Sequence, residues 1–196
     1  MNTFELFRKG GFIMYPLFIF SILAWSVGVY KWVQIRAFLK DLNKMGPELL
    51  TNKETVHPHI MKTLEILKSS SSKELLNERV GRKQAESIAD LKEWLWVLGS
   101  IASSAPFIGL FGTVVGIMEA FEAIGATGKT GFSVVAAGIS ESLIATAAGI
   151  IVAVVALLFY NFLISRVNKG AQEFRIRGEE LIDNLTSQGG THGNLK

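Results

Sequence analysis

The sequence predicts an all-α membrane protein with three transmembrane helices, on three observations. The 196-residue chain is 49% hydrophobic with a mean hydropathy of +0.34, too apolar for an ordinary soluble domain and too patterned for disorder. Three apolar runs, Phe12 to Tyr30, Trp94 to Met118 and Gly131 to Ser165, contain 19, 25 and 35 residues, each longer than the ~18 at which a run reads as a spanning helix. Lys and Arg cluster at the edges of those runs and read as topology signals. The net charge of only +3 gives no basis for nucleic-acid binding, and the absence of cysteine excludes disulfides and thiolate metal sites.

The first run has Pro16 in its opening turns, where a missing N–H costs least. Lys31, Arg36 and Lys40 follow it as a basic flank. At 19 residues with no small-residue cleavage pattern behind it, the run reads as a span and not as a cleaved signal peptide. Residues 31–93 then carry most of the charge in near-balanced signs. Leu39, Leu42, Leu49 and Leu50 suggest a short amphipathic helix, Asn52 to Pro58 reads as a turn, and Ser69 to Ser72 is a second punctuation. Ser71 with Glu74 has the form of a capping box, so a helix is expected from about residue 72. Leu76, Val80, Ile88, Leu91 and Leu95 repeat at helical spacing, and Glu78 with Arg82 makes an i,i+4 pair. With no stop signal before the second run, residues 72 to about 123 read as one helix of roughly 75 Å. Trp94 and Trp96 suit an interfacial belt. Pro106 should kink the helix near Ala102, with Ser103 and Ser104 placed to re-satisfy freed backbone groups.

Glu119 to Lys129 reads as a polar connection in which Gly125 and Gly128 stop the helix. After the third run come Arg166, Lys169, Arg175 and Arg177 and the stripe Phe174, Leu181, Ile182 and Leu185, so this helix continues to about Thr186, leaving SQGGTHGNLK as a disordered tail. Small residues dominate the second and third runs and make close helix packing the expectation for both, with GxxxG at Gly112 to Gly116. As a pair, these two spans read as an assembly surface, and the Phe- and Leu-rich first span as lipid-facing.

Glu141 is the one charged residue in the third run. A carboxylate at membrane depth costs about 2.5–3.5 kcal/mol on insertion scales and normally faces a watery path or a partner. Desolvation favours its protonated form, which suits proton handling; the bland alternative is a carboxyl held neutral and hydrogen-bonded within the bundle, with Ser140 and Ser142 as neighbours. Thr113 and Thr146 are candidate hydroxyls of a polar pathway, against the bland reading of a bond to the carbonyl one turn back. Glu141 and Thr146 stand about 140° apart on an ideal helix and so do not share a narrow stripe.

GLFGTVVGIMEAF (Gly109 to Phe121) and AAGISESLIATAAGI (Ala136 to Ile150), with Tyr160-Asn161 downstream, resemble the two signature segments of the MotA/TolQ/ExbB proton-channel family, more the ExbB and TolQ branch than MotA. The resemblance implies a ring-forming homo-oligomer of five subunits around single-span partners of the ExbD or TolR type. In such a motor, proton flow moves the partner, which works on an outer-membrane or envelope system through a TonB- or TolA-like protein. By position, Glu141 matches the acid of the third span and Thr113 and Thr146 the pore-facing threonines, while the family's proton-accepting aspartate belongs to the partner. Ala137 stands where the family often has Pro.

The resulting organisation is a short periplasmic N-terminus (1–11), a first span (12–33), a cytoplasmic helical region (34–93), a second span (94–118), a periplasmic loop (119–130), a third span (131–165) and a cytoplasmic C-terminal helix and tail (166–196). The distribution of Lys and Arg supports that orientation, with Arg8 and Lys9 against it. A bacterial inner-membrane motor subunit is the expected function; a non-conducting scaffold for a partner complex and a sodium-driven relative are the alternatives. No P-loop, Ser-His-Asp set or zinc motif is present, so no enzyme, cofactor or metal is expected, and His57-Pro-His59 lacks further nearby ligands.

Overall fold

A computed structural model describes residues 11–44, 58–69, 73–127 and 132–192 of the chain. Five helices account for most of them: α1 (Met14–Leu42), α2 (Pro58–Ser69), α3 (Lys73–Lys92), α4 (Leu95–Thr127) and α5 (Phe132–His192). Three helical stretches are long and apolar enough to cross a membrane, one in α1, one in α4 and one in α5.

Helix boundaries depart from the sequence reading in several places. The stretch expected as one helix from residue 72 is two, because Trp94 adopts φ +68° between α3 and α4. A left-handed residue ends a helix in the manner usually left to Gly, at about 1–2 kcal/mol for any other residue. Leu39 and Leu42 do not belong to a separate amphipathic helix but close α1; Leu49 and Leu50 lie outside the described residues. The composition gave no sign of α2, which begins at Pro58, the position where a missing N–H and a fixed φ favour a helix start. Its neighbour α3 starts at Lys73, beside the expected cap, whose Ser71 and Ser72 lie outside the described residues. Helix α4 runs past Glu119 and Gly125 to Thr127, so Gly125 is not a stop; Gly128 lies outside the described residues. Helix α5 runs past Thr186 to His192, carrying into the helix part of the segment expected as a disordered tail.

The described chain forms two compact units, one of residues up to Val29 with Trp94–Asn161, the other of Tyr30–Glu93 with residues from Phe162 onward. In the first unit the core is built from small side chains: Ala24, Ala105, Ala120, Ala145, Ala153 and Ala156 are buried beside Leu17, Leu98 and Ile101. Gly28 leaves the niche that the Phe159 ring fills, and Trp25 meets that ring edge-on at 5.2 Å. Large apolar side chains such as Phe18, Ile22, Phe107, Phe111, Ile151 and Leu158 point outward, the inverse of a soluble core and the arrangement a lipid surround favours.

The second unit has an ordinary large-residue core. Phe38 meets Phe174 edge-on at 5.4 Å and His59 at 6.5 Å, with Leu42, Ile60, Leu91, Leu163 and Ile182 buried around them. Gln84 is buried and donates from Nε2 to the Phe174 carbonyl at 2.7 Å. Lys31, the first residue of the basic flank after the first span, is 2% exposed. Its ammonium donates to Gln34 Oε1 at 2.9 Å and to the Asp90 carbonyl at 3.2 Å, joining α1 to α3. The Glu78–Arg82 pair forms at 2.6 Å on an exposed face, where such a contact contributes a few tenths of a kcal/mol.

Candidate functional site: the α4–α5 seam

Within the first unit, α4 and α5 run antiparallel with their backbones in close approach. A Cβ on Gly149 would stand 2.6 Å from the Ala105 carbonyl oxygen, one on Gly109 would stand 2.9 Å from that of Ala145, one on Gly116 2.6 Å from Ser142 Cβ, and one on Gly138 2.8 Å from Ala120 Cβ. These contacts step down one helix as they climb the other, and they recur at intervals of three, four or seven residues, the spacing of one helix face. The GxxxG of Gly112 to Gly116 is therefore spent inside the chain. Of the small residues that read as an assembly surface, Gly109, Gly112, Gly116, Gly138, Ala145 and Gly149 form a seam between two helices of one chain.

Thr146 sits on this seam and is half-buried. Its Oγ1 donates to the Gly109 carbonyl at 2.9 Å, so it does not make the one-turn-back bond of an ordinary membrane threonine. Gly109 O is also the acceptor that the helical ladder assigns to the Thr113 N–H, which connects the two threonine positions through one peptide group. Thr113 bonds within its own helix, its Oγ1 donating to Leu110 O at 2.6 Å, three residues back and not the four of the bland reading. Ser142 is buried against Gly116 and donates to Ile139 O at 2.9 Å, which commits the hydroxyl that had been considered for Glu141. Glu141 lies on the helical backbone of α5; its side chain lies outside the described residues. In the helical register, position 141 falls on the opposite flank of the seam from Thr146.

Pro106 lies inside α4. The carbonyl its ring deprives of a donor belongs to Ala102, whereas Ser103 Oγ donates to Gly99 O and Ser100 O, each at 3.0 Å, and Ser104 Oγ to Ser100 O at 2.6 Å. The serines thus bond carbonyls one turn before Ala102 and do not re-satisfy the Ala102 carbonyl, a bonding pattern that itself favours helix bending.

Outside the seam, His59 Nδ1 lies 4.0 Å from Asp90 Oδ2. Burial pushes the His59 imidazole below its usual value; Asp90 and Glu86 oppose that shift, and Lys62 and Lys83 reinforce it. His57 lies outside the described residues, and among those described no three His, Asp or Glu side chains are grouped as a metal site would require.

The family comparison places this geometry. Residues 51–176 match the model of the MotA/TolQ/ExbB proton channel family. The chain belongs to that family. It is 34% identical over 165 residues to an ExbB-like biopolymer transport protein of Helicobacter pylori, covering 82% of this chain and 86% of that protein. It is 30% identical to the Tol-Pal system protein TolQ of Haemophilus influenzae over 89% of each. The biopolymer transport protein ExbB of Pseudomonas putida is 32% identical over 76% of this chain, which spans about half of that longer protein. ExbB and TolQ relatives, with three membrane-length helices, make this a multi-pass membrane protein with a proton-channel-type role in transport or envelope function. The matched segment contains the whole seam, with Thr113, Glu141 and Thr146.

The sequence reading missed the Gly109 carbonyl, because a backbone acceptor 37 residues from its donor leaves no side-chain signature. The dense run of glycines around it was the available signal.

Proposed function

We propose that the chain is a subunit of a proton-motive-force-driven motor of the bacterial inner membrane. Five copies form a ring around an ExbD- or TolR-like single-span partner, whose motion is passed to a TonB- or TolA-like protein and powers outer-membrane transport or envelope maintenance. The N-terminus is periplasmic and the C-terminus cytoplasmic. The chain performs no covalent chemistry.

The observation that carries this reading is the Thr146–Gly109 hydrogen bond across the α4–α5 seam. With its proton committed to a carbonyl, the Thr146 hydroxyl is left as an acceptor aimed by a rigid backbone contact. Such a group stabilises a proton arriving on water or on a carboxylic acid, and passes one on only by leaving Gly109 O. Thr113 is in the same condition through Leu110 O. Glu141, on the same helix, supplies negative charge at membrane depth that attracts cations to the path. The partner's acid completes the route.

Glu141→Ala and Thr146→Val are expected to abolish partner-dependent function while the protein remains inserted and oligomeric. Full activity in both variants would make the two residues structural.

A further inference from the structure

A second feature lies in the unit formed by residues 30–93 and the chain from Phe162. Helices α1 and α5 there enclose a groove of about 630 Å³ whose lining includes Trp32, Arg36, Leu39, Lys40, Phe162 and Arg166. Its composition is divided. The floor is apolar, with Ile35 and Leu163 almost fully buried. The rim carries three exposed cations, Arg36, Lys40 and Arg166. Arg36 lies over the Trp32 ring at 5.2 Å and Arg166 over the Phe162 ring at 5.2 Å, which holds both guanidinium groups beside the groove with their N–H donors free in direction. Among the described residues no carboxylate pairs with any of the three.

The surrounding basic residues are used differently. Lys31 is buried on Gln34 and Asp90 O, Arg175 pairs with Glu179, and Arg177 with Glu173 and Asn43. The three rim cations are thus an uncompensated set, and they stand where the apolar runs of α1 and α5 end in sequence. Trp32, partly exposed, is of an aromatic type that populates a membrane–water boundary.

We infer that this groove binds an anionic phospholipid, its phosphate held by Arg36, Lys40 and Arg166 and its acyl chain laid along Ile35, Leu39 and Phe162. Charge selects an anion, the apolar floor selects one with a hydrocarbon tail, and the boundary position supplies that molecule from the bilayer. The inference is independent of proton conduction, since a non-conducting membrane protein with this groove would bind the same lipid.

The full-length protein, purified in detergent, is titrated with phosphatidylglycerol and separately with phosphatidylcholine, and retained lipid is counted by native mass spectrometry. The wild type is expected to retain phosphatidylglycerol preferentially. The triple variant Arg36→Gln, Lys40→Gln, Arg166→Gln is expected to lose that preference by about tenfold or more, since each basic residue near a surface adds to anionic-lipid attraction. Arg79→Gln with Arg82→Gln, a charge change elsewhere in the same unit, should leave it intact, and Arg36→Lys with Arg166→Lys should restore part of it. Equal retention of the two lipids by the wild type, or unchanged retention by the triple variant, overturns the proposal. So does displacement of the lipid by inorganic phosphate at millimolar concentration, which would reduce the site to an anion contact. A triple variant that changes subunit number while keeping its lipid would assign the groove to a second copy of the chain, and would equally overturn it.

Discussion

Thr146 and the glycines opposite it carry the most specific consequences at the scale of single residues. Thr146→Val keeps the shape and deletes the donor to Gly109 O; the expected loss of stability is about 0.6 kcal/mol, the average for such bonds in a membrane bundle, so a large functional defect would point to the hydroxyl's role in the path and not to unfolding. Gly149→Ala places a methyl group 2.6 Å from a backbone oxygen that cannot swing aside. It is expected to destabilise by about 1–3 kcal/mol in thermal denaturation followed by helicity. Gly125→Ala, with nothing within 4 Å of the new Cβ, is expected to be neutral or to stabilise by up to ~1 kcal/mol. The sequence made the small residues legible as packing positions, because little else explains so many in an apolar helix. It did not say which surface they pack against: a stripe of glycine serves an intramolecular seam and a subunit interface equally well, and only the backbone approach separates the two. The burial of Lys31 is hidden for a related reason, since a lysine at the end of an apolar run looks the same whether it faces water or an Asp90 carbonyl.

Helix starts and stops were legible where side-chain chemistry encodes them and illegible where the backbone alone decides. The start of α3 at Lys73 lies beside the Ser71 and Glu74 signal, whereas Pro58, which reads from the sequence as the end of a turn, opens α2 in the role proline prefers. The break at Trp94 has no such signal, because tryptophan is among the residues least expected at positive φ. Trp94→Gly should preserve the break and relieve the strained φ, so thermal stability is expected to be unchanged or higher. Trp94→Val should lower it by a further ~1–2 kcal/mol, as a β-branched residue tolerates that φ still less. In the second unit, α2 brings His59 against Phe38 and near Asp90. A histidine whose folded-state value is lowered stabilises the fold while neutral. That contribution is complete above the ordinary histidine value near 6.5 and is lost as pH falls through the lower folded-state value. Acidification below about pH 6.5 is therefore expected to destabilise this unit in wild type and less so in His59→Phe, compared by thermal melts across the range.

For the whole molecule, three spans and their order were legible because the bilayer admits few solutions: a long apolar run must be a helix, and charge must collect at its ends. Family membership was legible in two segments, Gly109 to Phe121 and Ala136 to Ile150, which form the two sides of the α4–α5 seam. Those segments are small-residue-rich because the helices touch there, and Thr146 makes a polar bond across the contact. What the sequence could not express is the division into two units with opposite core chemistry, alanine and glycine in one and Phe38, Phe174 and large aliphatics in the other. That division follows from the two solvents the helices meet in turn. The function proposed for the molecule is ion movement, and its direct measurement is proton entry into liposomes under an imposed membrane potential, followed by an internal pH-sensitive dye. The chain is reconstituted alone and together with a single-span partner bearing an intramembrane aspartate. Flux is expected only with the partner, with protons but not sodium as the driving ion, and is expected to be lost in Thr146→Val and Glu141→Ala. A correctly assembled complex that carries no protons would make the chain a scaffold and contradict the account.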